Sequence, residues 1–219
     1  MLTMYISRIV PTLAVVATVG ILSAAARPDH NVPPRNLPSP LMDETWPAPD
    51  AVLKSGSLSF TGHSTVGDFV GTTTSASGGV IGNANLANAR GWVEATVSSL
   101  STGNRLRDRD LRSTMDVATY PAMRFELAGV TVESSAATSD TVTGALRGTL
   151  TIHGVTRDVV VPATLVATAD TVDASGAFPI DLGDYKVGGL TRLFGTLRVR
   201  REIEVRFRVR FEPAPHTRS

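Results

Sequence analysis

The 219-residue chain carries four histidines and no cysteine, which narrows the chemistry open to it. His63 and His153 stand in strand-like sequence, whereas His30 and His216 lie in proline-containing flanks. A protein metal site gathers three or four convergent ligands. No H-x-H, H-x-x-x-H or cysteine pair supplies them, so no metal is expected. The run GHSTVG, residues 62–67, superficially matches a nucleophile elbow. That motif is G-x-S-x-G between a parallel strand and a helix, but Val66 occupies the second glycine's place. GGVIG, residues 78–82, lacks the spacing and the following helix of a dinucleotide fingerprint; a hairpin turn is expected there. A hydrolase would need a Ser or a carboxylate pair beside a His in a cleft, and neither His63 nor His153 is expected to have such company. No catalytic residue and no cofactor is assigned.

Two arginine-rich stretches carry the remaining candidates. In RDRDLRS, residues 107–113, Arg107, Asp108, Arg112 and Ser113 stand close together. An arginine fork suits an anionic head group. The same residues could instead form an Arg–Asp pair and a helix cap that hold a plug in place. In REIEVRFRVRF, residues 201–211, four arginines are interleaved with apolar residues. Alternate side chains of a strand point to opposite faces. Ile203, Val205, Phe207, Val209 and Phe211 therefore share one face; Glu202, Glu204, Arg206, Arg208 and Arg210 share the other. A solvated face paired with carboxylates on adjacent strands is expected, not a strip for nucleic acid.

The elements that must position these residues are strands. Aromatics make up only 5% of the chain, while Val, Thr, Ser, Gly and Ala are plentiful, a mixture that favours strands and tight turns. Leu58 and Phe60 alternate with polar residues, as do Met123, Phe125 and Leu127, and Phe178, Ile180 and Leu182. Val93, Ala95 and Val97 alternate with Trp92, Glu94 and Thr96, which turns Trp92 outward or toward a neighbouring loop. Leu150 and Ile152 precede a turn at His153-Gly154, and Val159, Val161, Ala163 and Leu165 follow it. The one credible helix lies within residues 101–125. Ser113 with Asp116 resembles a capping box that would start it, and Tyr120-Pro121 returns the chain to extended form. Residues 183–198, with four glycines, read as a long flexible loop. One-sided antiparallel strands bury their apolar face in a sandwich or a closed barrel; periodicity leaves both open.

Residues 1–26 hold one charge, Arg8, then the apolar run Ile9–Leu22 and the small residues Ser23 to Ala26. This is the layout of a secretory signal peptide, short for a bilayer span, which needs roughly 20 apolar residues. No stable membrane span is expected after cleavage. Residues 27–50 contain seven prolines and read as a disordered linker. Residues 51–213 form the folded domain and 214–219 a disordered tail. Of 21 basic residues, Arg8 leaves with the signal, so 20 basic face 20 acidic in the mature chain. That balance argues against nucleic-acid binding, which shows a basic excess.

The segment RDRDLRSTMDVATYPAMRF, 107–125, resembles the signature of the YceI-like family: an Arg-Asp-x-x-Leu-Arg-Ser run leading to Tyr-Pro and a strand ending in Phe. LTIHGVTRDVVVPATL, 150–165, is similar to the family's Leu-Thr-x-x-Gly-Val-Thr hairpin. Residues 55–82 and 178–211 fit its opening and closing strands. The resemblance covers nearly all of 51–213. It implies an all-β fold, an antiparallel lipocalin-like β-barrel of about eight strands with one short helix. It implies a bacterial protein, periplasmic or secreted, that is not an enzyme and holds a polyisoprenoid, quinone or other long-chain amphiphilic lipid inside the barrel. On that reading the cavity-lining candidates are Phe60, Val93, Val97, Phe125, Leu127, Phe178, Ile180, Phe194 and Phe207, with Arg107, Asp108, Arg112 and Ser113 as head-group contacts or plug. A homodimer is compatible with it. Two departures stand out: Met115 and Val117 replace the family's one or two Phe after Leu-Arg-Ser, and Asp110 stands where a His is often found. The alternative is a ligand-free structural or stress-linked barrel module acting through its surface.

Overall fold

A computed structural model of the chain describes residues 47–65, 67–82, 86–135, 140–168, 170–188 and 199–215. Nine strands and one α-helix are present among them: β1 (Ala51–Ser64), β2 (Phe69–Thr73), β3 (Ala76–Ile81), β4 (Arg90–Thr96), α1 (Arg105–Thr114), β5 (Ala122–Ser135), β6 (Thr141–Ile152), β7 (Val155–Ala167), β8 (Val172–Asp181) and β9 (Val199–Pro213). Each strand from β3 to β9 pairs antiparallel with the next, and β1 pairs with both β3 and β9. The result is a closed eight-strand barrel, with β2 as an additional strand on β1. Closure removes the free edges that an open sheet would expose.

The alternation in β9 does what the sequence suggests. Ile203, Val205, Val209 and Phe211 are buried, while Arg206, Arg208 and Arg210 are exposed. Arg210 donates through Nε and Nη2 to both oxygens of Asp173 on β8, at 2.7 and 2.9 Å. Arg206 donates to Glu204 at 2.7 Å, and Arg201 grips Asp181 at 3.1 and 3.2 Å. The row is thus a wet outer face knitted by ion pairs. Such pairs are screened and add little, so Arg210→Ala should lower stability by at most ~1 kcal/mol in urea unfolding, less in high salt.

Turn chemistry explains the tightest hairpin. β6 and β7 are joined by His153 and Gly154 alone, with φ of 50° and 71°. Two consecutive positive φ values mark the primed turn that matches strand twist. Tyr120 packs over this turn, its ring centroid 4.5 Å from that of His153.

Three expectations need correction. The helix does not begin at Ser113: it runs Arg105–Thr114 and has Asn104 as its N-cap, with Oδ1 accepting from the N–H groups of Leu106 and Arg107 at 3.0 and 3.1 Å. Ser113 lies in its last turn, because the reversal after it is made by Asp116 in left-handed geometry, φ 44°. Val97 is not a strand residue: β4 ends at Thr96, and Val97 opens a 3-10 turn, Val97–Ser99, in which it is almost wholly buried. The start of the 183–198 loop is also ordered. Leu182–Tyr185 forms a 3-10 turn capped by Asp181, and Tyr185 and Val187 are buried in the core. Residues 189–198, including Phe194, lie outside the described residues, as do residues 1–46, where the signal and linker are expected, and 216–219.

Candidate functional site

The inward residues of the barrel form two groups. One, toward α1, gathers Val97, Leu100, Met115, Ile152, Tyr185 and Ile203; the other gathers Val130, Leu146, Val161, Leu165, Ala174 and Phe211. Phe125 and Phe178 pack against both and form a waist between them. The interior is not filled. Phe60, Val93, Phe125, Leu127, Phe178 and Phe207 face inward yet are only half-buried. A close-packed core would leave such side chains no free surface; here they border a cavity of about 290 Å³.

That cavity runs most of the barrel's length. Its lining includes Leu111 of α1 and Met115, the helix's C-cap, at one end and Leu86, Val172 and Phe211 toward the other. Val142 and Ile152 also line it, ten residues apart on β6. At ~3.3 Å per residue and the usual strand tilt, that is about 25 Å along the axis. The lining is almost wholly apolar; Arg124 and Asp140 are its charged members. The Arg124 guanidinium is occupied elsewhere: it donates to Glu126 at 2.8 Å and to Glu94 at 3.4 Å, and stacks 4.7 Å from the Trp92 ring centroid. Trp92 therefore presents its ring to that cation.

Of the nine lining candidates, Phe60, Val93, Phe125, Leu127, Phe178, Ile180 and Phe207 border the cavity. Val97 does not, because its 3-10 turn tucks it beneath α1, and Phe194 is undescribed. The alternation rule missed the contribution of α1. Leu111 and Met115 are four residues apart, so they share a helix face, and this face closes one end of the cavity. The signal was two apolar residues at helical spacing in an otherwise charged run.

Arg107, Asp108, Arg112 and Ser113 all lie outside the cavity lining. Asp108 is buried and holds the loop before the helix. It accepts from Thr102 Oγ1 at 2.6 Å, from the Thr102 backbone N–H at 2.7 Å and from Ser101 Oγ at 3.2 Å. Arg107 stacks on Phe69, 4.5 Å from the ring centroid, and Arg112 donates to the Ser98 carbonyl at 3.3 Å. The contacts of these three fasten α1 over the barrel end. Hydrogen bonds from Thr102, with those from Ser101 and the charge of Arg112, hold the Asp108 carboxyl below its ordinary 3.8, against the opposing effect of burial. A depressed carboxyl contributes stability above its unfolded value and loses it as pH falls through the folded one. Asp108→Ala should therefore cost about 2–3 kcal/mol at pH 7, and the gap to the parent should shrink below pH 3.8. Urea unfolding at pH 7 and pH 3 measures both.

His63 has a carboxylate partner that sequence reasoning did not give it: Nδ1 lies 2.8 Å from Asp68 Oδ1. Both side chains are substantially exposed, and the neighbouring Ser64 hydroxyl donates to the Gly67 carbonyl at 2.6 Å. The pair caps the β1–β2 turn and does not border the main cavity. Among the described residues, no cluster of three or more His, Asp or Glu is placed to hold a metal.

The YceI-like domain model matches residues 52–211, almost the whole barrel. The chain belongs to the YceI-like family. Solved structures share the YceI-like barrel at low identity. A polyisoprenoid binding domain from Saccharophagus degradans, implicated in plant cell wall breakdown, superposes with a TM-score of 0.65 and 16% identity, over 76% of this chain and 100% of the other. BcnA of Burkholderia cenocepacia gives 0.58 and 20%, over 71% and 95%. The Campylobacter jejuni YCEI protein gives 0.51 and 22%, over 66% and 85%. Comparison with curated proteins returns no match.

Proposed function

We propose that this YceI-like protein is an exported, non-enzymatic carrier that holds a polyisoprenoid, quinone or similar long amphiphilic chain inside the barrel. The observation that carries the reading is the elongated apolar cavity of about 290 Å³, with Phe125 and Phe178 at its waist. Each CH2-sized unit moved from water into such a lining gains about 0.8 kcal/mol. A chain of ten units thus offers roughly 8 kcal/mol before the cost of ordering it. The polyisoprenoid-binding relative from S. degradans, with the same barrel, supports that ligand class.

Asp108, Asp173, Tyr185 and Arg210 titrate away from their ordinary values, and none lines the cavity. Tyr185, pushed up to about 12 mainly by burial, stays a neutral phenol in the core. Export is supported by the layout of residues 1–26, one cation, an apolar run and small residues. A prenyl chain bearing an environment-sensitive fluorophore tests the reading. Saturable binding with emission shifted to that of an apolar medium is expected. Emission unchanged from water at saturating protein would favour a barrel that acts through its surface.

A further inference from the structure

The barrel ladder is interrupted where β1 passes from β3 to β2, as it also is between β7 and β8, whose pairing stops at Thr164↔Ser175. β1 pairs with β3 at Ala51↔Val80 and Val52↔Gly79, then with β2 at Leu58↔Thr73 through Gly62↔Phe69. From Val52 to Leu58 is six residues, and from Gly79 back to Thr73 is six. β2 and β3 are therefore one long strand in a single register against β1, parted at Thr74-Ser75. Along the interval, Leu53–Ser57 and Thr74–Gly78 form no pairs with each other. Both flanks are held from behind. β1 continues against β9 there, with a bulge between Leu53 and Ser55, and Ala76–Gly78 continue against β4.

Small residues border this interval. Gly56 lies two positions from inward Leu58, and Ala76 and Gly78 share the face of Val80, which lines the cavity. Ser57 is exposed to solvent and yet borders the cavity; half-buried Ala76 borders it too. The cavity thus borders solvent-exposed residues at the seam, as it also does at Asp140 and Ala167 at the end away from α1; within the seam Leu53 is the one large apolar side chain, and no ladder joins the two edges. The helix end, by contrast, is closed by Leu111 and Met115 and fastened by Asp108.

We infer that this seam between Leu53–Ser57 and Thr74–Gly78 is a lateral portal through which a flexible apolar chain enters the barrel sideways. The inference rests on the carrier reading above. A thin chain needs a slot, not a wide mouth. Backbone groups along the slot's edges can stay hydrated or serve a polar head while the tail lies within, since unpaired backbone is tolerable only in reach of water or another partner. Entry would need the β1 and β2–β3 edges to part, with no rupture of intact ladder and no movement of α1.

The absence of cysteine makes the test clean. Ser57→Cys with Thr74→Cys places the only two thiols at positions that would face each other in an unbroken register, both exposed. They are joined by oxidation or, at larger separation, by a short bis-maleimide. Uptake of the fluorescent prenyl probe is followed by stopped flow. The stapled form should load at least roughly tenfold more slowly than its unstapled form, and cleaving a disulfide staple should restore the rate. A staple across intact ladder, Thr149→Cys with Asp158→Cys, should leave the rate unchanged. Ala76→Trp, which fills the slot without any crosslink, should also slow loading. Stapled and Trp variants that load at the parent's rate would overturn the portal and leave the carrier reading intact. A parent that takes up no probe overturns the carrier reading, and the portal with it.

Discussion

Val205→Trp should leave the barrel folded, with stability close to the parent's, and remove most of its capacity for an apolar chain. Val205 borders the cavity from β9, opposite Phe60 on β1 and Phe178 on β8 in the ladders. An indole there enters free space beside the waist. In a filled core the same enlargement costs typically about 1–3 kcal/mol through forced rotamers and backbone shifts. In a hollow one the new ring finds room and new contacts. Urea unfolding and probe titration on the same sample separate the two cases. An unchanged midpoint with probe affinity lowered at least roughly tenfold, about 1.4 kcal/mol, fits a ligand cavity. A midpoint that falls steeply would mark a packed interior and favour a barrel working through its surface.

Gly148→Val should destroy the fold outright. Gly148 sits on β6 opposite Leu127, just before the bulge between Leu127 and Gly129 on β5. A Cβ added there would lie 2.0 Å from the Glu126 carbonyl oxygen and 3.1 Å from Phe125 Cζ. Gly144 is in the same position relative to the second bulge of β5, its Cβ 2.1 Å from the Thr131 carbonyl oxygen. Bulges bend a strand sharply, and here each bend lays a β5 carbonyl across a β6 glycine. The obstacle is backbone, so it cannot rotate away. A loss of about 3–5 kcal/mol or more is expected, a large share of a domain's total stability. Yield of protease-resistant protein and its far-UV circular dichroism measure it. Gly188→Ala, whose methyl meets no described atom within 4 Å, is the neutral control. A Gly148→Val protein as stable as the parent would mean that β5 does not bend as described.

These particulars show what a single sequence discloses. The strand faces were readable wherever apolar and polar residues alternate without interruption, as in β9 and in Met123, Phe125 and Leu127 of β5. There the period alone decides which side is buried. The hollow interior was not readable, since inward residues look the same whether they meet one another or empty space. Val97 was misplaced because alternation carries through Thr96 into a turn that has the same apolar spacing. The helix start was misplaced because Ser113 offers the better-known cap pattern, while Asn104 caps with no partner three residues on. The interrupted β1 seam leaves only a faint trace, the small and polar residues around Gly56 and Ala76. The family resemblance supplied what periodicity left open, the choice of barrel over sandwich.

Native mass spectrometry of the protein purified from a host that exports it tests the central claim most directly. The account predicts a population heavier than the bare chain by the mass of one long prenyl or related chain per barrel, lost on organic extraction and regained on incubation with such a lipid. A spectrum showing only the bare chain, before and after incubation with excess polyprenyl lipid, would contradict it.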